Sequence, residues 1–403
     1  MEVWRRNQIA VTVAVFVGFS GFTLVMPFLA LYFRDLGLTD TADVALWTGI
    51  TLGVTPAIAA LCSPFWGRVG DRFGDKILVQ RSLVSFILVM VLMAYATRPW
   101  HLFALRAAQG FVAGYGALAI AMVARSAPPE HMASAIGTVQ VAQRMAPAFG
   151  PVAGGVLASM LGLRQVFFVA AAVYAVAFVL ITVLYHESPR ASRSRPASEQ
   201  VSFANILALE NFLVLMGAIF GLYMVDRSFG PVLPLYLEEL GFPATEVSVA
   251  AGVLFSALAI SGAAGNRIAA AGLARTSPRV LIASCVLLAA VALSLFAAAE
   301  SLWLLVAAML VFGLGIGVAM TAAFTAAGAV LPPEAHGAGF GFLTGASLVG
   351  SALSPVVSGL VAAQSIQVVF VAGVVALIVL AVIVGRVMVE PRQFEEAPPG
   401  DDT

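Results

Sequence analysis

Four charged side chains fall well inside the apolar runs of this sequence: Asp226, Arg106, Arg144 and Arg227. A charge in hydrocarbon is costly unless it faces a wet cavity or a partner, so each marks a place where chemistry is expected. Asp226, in YMVDRSFGPVLPLYL, is the one acid among them. A carboxylate that can be neutral or ionised there suits proton uptake and release, although it would also serve as a structural ion-pair member or a gate. Arg227 follows it directly but points about 100° around the helix, so the spacing does not require the two to pair and leaves Arg106 or Arg144 as alternative partners. Asp226 lies eleven residues before Leu237, about 16 Å from the end of its helix, a depth that suits a cavity. A second stretch, MAPAFGPVAGG from Met145 to Gly155, puts Gly150, Pro151, Gly154 and Gly155 into an otherwise apolar run. Small residues let helices approach closely, and a proline removes a backbone donor and bends the helix.

The elements that carry these residues must be membrane helices. The chain has 403 residues, 61% hydrophobic and 10% charged, with a mean hydropathy of +0.99, which places it among integral membrane proteins. Runs of about 20 apolar residues recur throughout. The twelve expected spans cover residues 8–33, 44–66, 77–97, 100–124, 133–160, 164–185, 208–237, 245–270, 278–299, 301–330, 337–361 and 365–388. They lack the two-residue alternation of an outer-membrane barrel. The first is too long for a secretory signal and no small-residue cleavage site follows it. Cys62 and Cys285 fall inside spans as small apolar fillers, which argues against a disulfide framework.

The halves repeat. PFLALYFRDLG from Pro27 aligns with PVLPLYLEELG from Pro231, and PPEHMASAIG from Pro128 with PPEAHGAGFG from Pro332, each 204 residues apart. Pro151 meets Pro355 at the same offset, and Asp226 meets Phe22. Two parallel six-helix repeats are the plan of a secondary transporter with its site at their interface near the bilayer midplane. The expected fold class is therefore all-α integral membrane, with twelve transmembrane helices in two pseudo-symmetric bundles. Residues 1–185 form the first bundle, 186–207 a basic linker, 208–390 the second bundle and 391–403 a tail. Both ends lie on one side, and that side carries fifteen of the twenty-one basic residues. The positive-inside rule makes it cytoplasmic.

GRVGDRFGDK, Gly67 to Lys76, lies in the loop between spans 2 and 3. Here the chain resembles the major facilitator superfamily, through Gly67, Asp71, Arg72, Gly74 and Lys76. Asp75 departs, because the family usually has a basic residue there. RAAQG, Arg106 to Gly110, resembles the family's span 4 signature, and GPVAGG resembles its antiporter motif, with Ala146 where a further glycine is common. With FTLVMPFLALYFRDLG in span 1, the chain looks closest to the twelve-helix drug:proton antiporter branch.

That resemblance implies roles. Asp71 would latch the halves by facing the start of span 11, at Gly337 to Gly341, where a helix N-terminus offers unpaired N–H groups. Arg106 would take part in proton transfer, and the Gly150 to Gly155 stretch would seal against span 8. Gln109, Tyr115, Gln140, Gln143, Arg144, Tyr223 and Arg227 are the candidate polar cavity residues, with Phe19, Met26, Met224 and Phe229 as adaptable apolar ones.

The leading expectation is a proton-coupled antiporter that exports amphipathic drugs by alternating access. It would act as a monomer in a prokaryotic inner membrane, with a small molecule, protons and the lipid bilayer as partners. A narrow-specificity carrier of a sugar or organic anion is the alternative, since Arg106, Arg144 and Arg227 together could hold an anion. No cofactor, metal or nucleic-acid partner is expected. There is no phosphate-binding loop for an ATP-driven pump, and the four histidines and two cysteines form no catalytic or metal-like cluster, so an enzyme is not expected.

Overall fold

Lipid cannot satisfy backbone N–H and C=O groups, so apolar segments of this length close their hydrogen bonds internally as helices. The computed structural model describes residues 2–128, 131–186, 206–332 and 335–389, without some side chains inside helices, and no strand occurs among them. The first half contains α1 (Val3–Thr23), α2 (Leu29–Asp35), α3 (Thr41–Phe73), α4 (Asp75–Ala94), α5 (Pro99–Phe111), α6 (Tyr115–Ser126), α7 (Met132–Leu161) and α8 (Leu163–Leu184). The second contains α9 (Phe212–Asp226), α10 (Phe229–Glu239), α11 (Ala244–Leu273), α12 (Pro278–Ala297), α13 (Leu302–Val330), α14 (His336–Ala362) and α15 (Ile366–Val387). Among the described residues, ten segments are long and apolar enough to cross a membrane. The other two expected spans are the α5–α6 pair and α7, which carries Gln140, Gln143 and Arg144.

Three expected continuous spans are interrupted. Span 1 breaks between α1 and α2 through a short 3₁₀ turn, Met26–Phe28; span 4 breaks at Val112–Gly114; span 7 breaks at Arg227 and Ser228. Apolar residues run through the breaks in spans 1 and 4, so hydropathy alone does not register them, whereas the break in span 7 falls on the polar stretch Asp226, Arg227 and Ser228.

The sequence repeat is a repeat of contacts. Asn7 on α1 donates to the carbonyl of His186 at 2.8 Å and accepts from its N–H at 2.9 Å. Asn211, 204 residues later, does the same to Val389, both at 2.8 Å. Tyr32 donates to the Met93 carbonyl at 2.9 Å, and its counterpart Tyr236 to that of Ala297 at 3.2 Å. Each bond satisfies a backbone group left open at a helix end. Trp100 and Trp303 stand exposed at the starts of α5 and α13, where amphipathic rings anchor a helix at the membrane surface.

The halves meet at the end of the molecule away from the chain termini. There Gly49 on α3 packs on the Pro355 carbonyl of α14, and Gly359 on that of Ala45. Gly252 on α11 packs on the Pro151 carbonyl of α7, and Gly155 on that of Ser248. Toward the terminal end, Gly137 on α7 and Gly341 and Gly345 on α14 face open space. The backbone contacts between the halves are thus gathered at the far end.

Candidate functional site

The three breaks converge on a cavity of about 430 Å³ between the halves. α1 supplies Phe19, Phe22 and, past its end, Met26; the span 4 break supplies Gln109, Gly114 and Tyr115; the span 7 break supplies Arg227 and Gly230; α14 supplies Ser351 and Pro355.

The span 4 break is built in by side chains. Gly114 has φ of 126°, a backbone conformation open to glycine. The carbonyls freed by the break are taken up by neighbours: Ser82 donates to Val112 at 2.9 Å, Arg81 to the same oxygen at 3.0 Å, and Trp66 to Phe111 at 2.5 Å. From α7, Gln143 donates to the Gly116 carbonyl at 3.0 Å. A break in hydrocarbon survives only where groups of this kind re-satisfy the backbone.

Arg106 lies behind the cavity wall, 1% exposed. One guanidinium nitrogen donates to Gln109 Oε1 at 3.1 Å, and the guanidinium carbon sits 5.5 Å from the centre of the Phe22 ring. Its Nε and its other terminal nitrogen have no hydrogen-bond partner among the described residues, nor do Gln109 Nε2 and the Tyr115 hydroxyl. The cavity edge thus holds a cluster of unspent donors, and no described acid faces Arg106 in an ion pair.

Asp226 ends α9 and pairs with Arg227 at 3.3 Å. The helix stops at Asp226 and Arg227 caps it, so the expected 100° separation does not keep the two apart; neither Arg106 nor any other described arginine takes that place. The Asp226 side chain is 17% exposed and lies beside the cavity, whose lining around this break is Arg227 and Gly230.

Five of the eleven expected cavity residues line it: Phe19, Met26, Gln109, Tyr115 and Arg227. The others do not. Gln140 is exposed, Gln143 donates to the Gly116 carbonyl, Tyr223 faces α14, where Gly350 packs on its Cβ, and the Met224 backbone carbonyl accepts from Ser354 on that helix. Phe229 is 1% exposed, packed edge-on against Phe296 and Phe312 in the core of the second half. The Arg144 side chain lies outside the described residues. Sequence reasoning missed Phe22, Thr55 and Tyr174 as lining residues. Phe22 carried a signal, since the 204-residue offset makes it the counterpart of Asp226.

The glycine-rich stretch has one partner per glycine. A Cβ on Gly150 would strike Thr23 and the Ser20 carbonyl, one on Gly154 the Leu24 carbonyl, and one on Gly155 the Ser248 carbonyl. Gly150 and Gly154 therefore seat α7 against the end of α1, while Gly155 and Pro151 seat it against α11. Val152 N–H also donates across to Ser256 Oγ at 3.3 Å.

Of the loop between α3 and α4, the side chains of Asp71 and Arg72, and Gly67, lie outside the described residues, as does Gly337. Gly74 turns the chain with φ of 98°. Lys76 donates to the Tyr185 carbonyl at 2.7 Å and the Thr182 carbonyl at 3.3 Å, fastening α4 to the end of α8 within its own half. In the second half Arg279, which the 204-residue offset aligns with Asp75, binds the Gly385 carbonyl. Asp75, buried in the first turn of α4, pairs with Arg125 at 3.1 Å. An acid suits that position, at the positive end of a helix.

The profile of the family described as the Major Facilitator Superfamily matches residues 11–299 and 215–402. Among curated proteins, a multidrug resistance protein MdtG of Proteus mirabilis (strain HI4320) is 32% identical over 255 residues, 63% of this chain and 63% of that protein. One of Escherichia coli O9:H4 (strain HS) is 32% identical over 283 residues, 69% of this chain and 67% of that protein. The match thus spans less than two thirds of the first relative's length. Among solved structures, a bacterial homolog of the human lysosomal transporter Spinster, inward-facing and occupied, superposes with a TM-score of 0.77 at 17% identity, covering 96% of this chain and 98% of that one. The nucleoside transporter NupG gives a TM-score of 0.73 at 17% identity, covering 94% and 98%. Both are likenesses of fold.

Proposed function

The chain belongs to the Major Facilitator Superfamily, and from that premise we propose that it is a proton-coupled antiporter that exports amphipathic small molecules by alternating access. The observation that carries this reading is the cavity itself: it lies between the halves where three helices break, with a wall of Phe19, Phe22 and Met26 beside the polar Gln109, Tyr115 and Arg227. Apolar surface with a few placed polar groups suits molecules that have both. The names of the MdtG relatives support multidrug transport. Close backbone contact at the far end supports an access state closed there, whose cavity opens to the cytoplasm with both termini on that side, as the positive-inside rule requires. The chain acts as a monomer in a bacterial inner membrane. Asp226 carries the coupled proton, alternating between its pairing with Arg227 and a neutral form as substrate and proton exchange.

The test uses purified protein in liposomes with an imposed pH gradient, following a fluorescent cationic drug and internal pH together in wild type and Asp226→Asn. Coupled drug and proton fluxes in wild type, lost in the variant, support the reading. Drug transport in wild-type vesicles with no linked proton movement overturns it, and intact coupling in Asp226→Asn removes Asp226 as the carrier. The unspent donors of Arg106, Gln109 and Tyr115 favour a second reading, a carrier for one acceptor-bearing metabolite such as an organic anion. Saturable transport of a single small anion, with no drug flux, would select it.

A further inference from the structure

The PFLALYFRDLG and PVLPLYLEELG repeats differ in charge at one point: Arg34 in the first stands where Glu238 stands in the second, 204 residues later. The fold brings these two equivalent positions together. An Arg34 terminal nitrogen lies 2.9 Å from Glu238 Oε2, at the far-end tips of α2 and α10. The guanidinium is also held by the Thr39 carbonyl at 3.3 Å and Thr41 Oγ1 at 3.2 Å, both from the turn into α3. Among the described residues the other ion pairs, Arg5 with Glu2, Arg125 with Asp75, Arg164 with Asp35 and Arg227 with Asp226, each stay within one half. Among the pairs between described residues, Arg34 with Glu238 is the one that joins the two halves.

We propose that Arg34 and Glu238 are positioning residues of the transport cycle, an ion-pair latch that holds the far end shut and opens each time the cavity turns outward. The proposal rests on alternating access between the halves. Residues related by a repeat axis approach each other wherever the two halves close on that axis, so opposite charges there attract only in the closed state. Partial exposure, 32% for Arg34 and 23% for Glu238, lets water take over both groups when the halves part. An ion pair of this exposure contributes enough to change the ratio of the two access states roughly two- to fivefold, and not enough to lock it. The glycine contacts further in supply shape, and the latch supplies the bias.

The experiment measures distances by electron spin resonance between labels at Thr39→Cys and Glu239→Cys, with Cys62 and Cys285 replaced by alanine. Glu238→Gln and Arg34→Gln are each expected to move population two- to fivefold toward the longer distance. Arg34→Glu with Glu238→Arg is expected to return it to the wild-type distribution. In transport, the single variants raise the KM for substrate offered at the terminal side, by at most the same factor, because less of the protein is open there. Either variant reads the pair alone, so one that fails to fold leaves the other. Unshifted distributions in the single variants, or a charge swap as displaced as they are, overturn the latch. Wild type that keeps one distribution at every pH and drug concentration overturns alternating access and the latch together, whereas a wild type that exchanges while the variants match it overturns the latch alone.

Discussion

Gly252 of the second half rests its Cα directly on the carbonyl of Pro151 in the first, and no side chain fits between them. The contact joins the glycine-rich stretch to α11 and is one of the places where the two bundles touch backbone to backbone. A methyl group there has only backbone to meet, so Gly252→Ala must push the halves apart at the far end. Overpacking of this kind costs about 1–3 kcal/mol of the closed arrangement. Export in vesicles should fall while expression and folding persist, and labels across α7 and α11 should report the wider spacing.

Arg106 separates function from stability. It is buried with one side-chain hydrogen bond and two unspent nitrogens, an arrangement that does not favour the folded state. Replacing a buried charge by an apolar side chain of similar size is often neutral or stabilising, by about 1–4 kcal/mol. Arg106→Leu should therefore keep or raise the melting temperature in detergent while abolishing transport. A variant that instead melts earlier would mark Arg106 as a structural anchor.

Gly114 tests the break in span 4. With φ of 126° and nothing nearer than Leu118 around its would-be Cβ, the obstacle to a side chain is conformational. An L-residue there costs about 1–2 kcal/mol. Gly114→Ala should weaken substrate binding by distorting Tyr115 and Gln109 at the cavity edge, measured by tryptophan quenching or calorimetry with the transported drug.

The asparagine clasps should contribute in both halves. Asn7→Ala removes both hydrogen bonds that hold the end of the first bundle at His186, and Asn211→Ala those at Val389. A buried backbone group left unpaired costs about 1–3 kcal/mol. Asn7 is fully buried and Asn211 partly exposed, so the first variant should lower the melting temperature more.

Much of this protein could be read along the chain. Helical spans, the 204-residue repeat, the cost of Asp226 and Arg106 in hydrocarbon and the close-packing glycines are properties of composition and spacing, and hydrocarbon enforces them residue by residue. Five cavity residues followed from that reading. The breaks in spans 1, 4 and 7 did not, because a helix stops in lipid only where neighbours, such as Ser82, Arg81 and Trp66 at span 4, take up its carbonyls. The partner of Asp226 depended on where α9 ends, and Phe229 left the cavity for an aromatic core formed by α12 and α13. That Arg34 meets Glu238 was also a decision of the tertiary structure. Alignment of the repeats places them at equivalent positions, but only the way two bundles close on one axis brings two distant stretches within 2.9 Å.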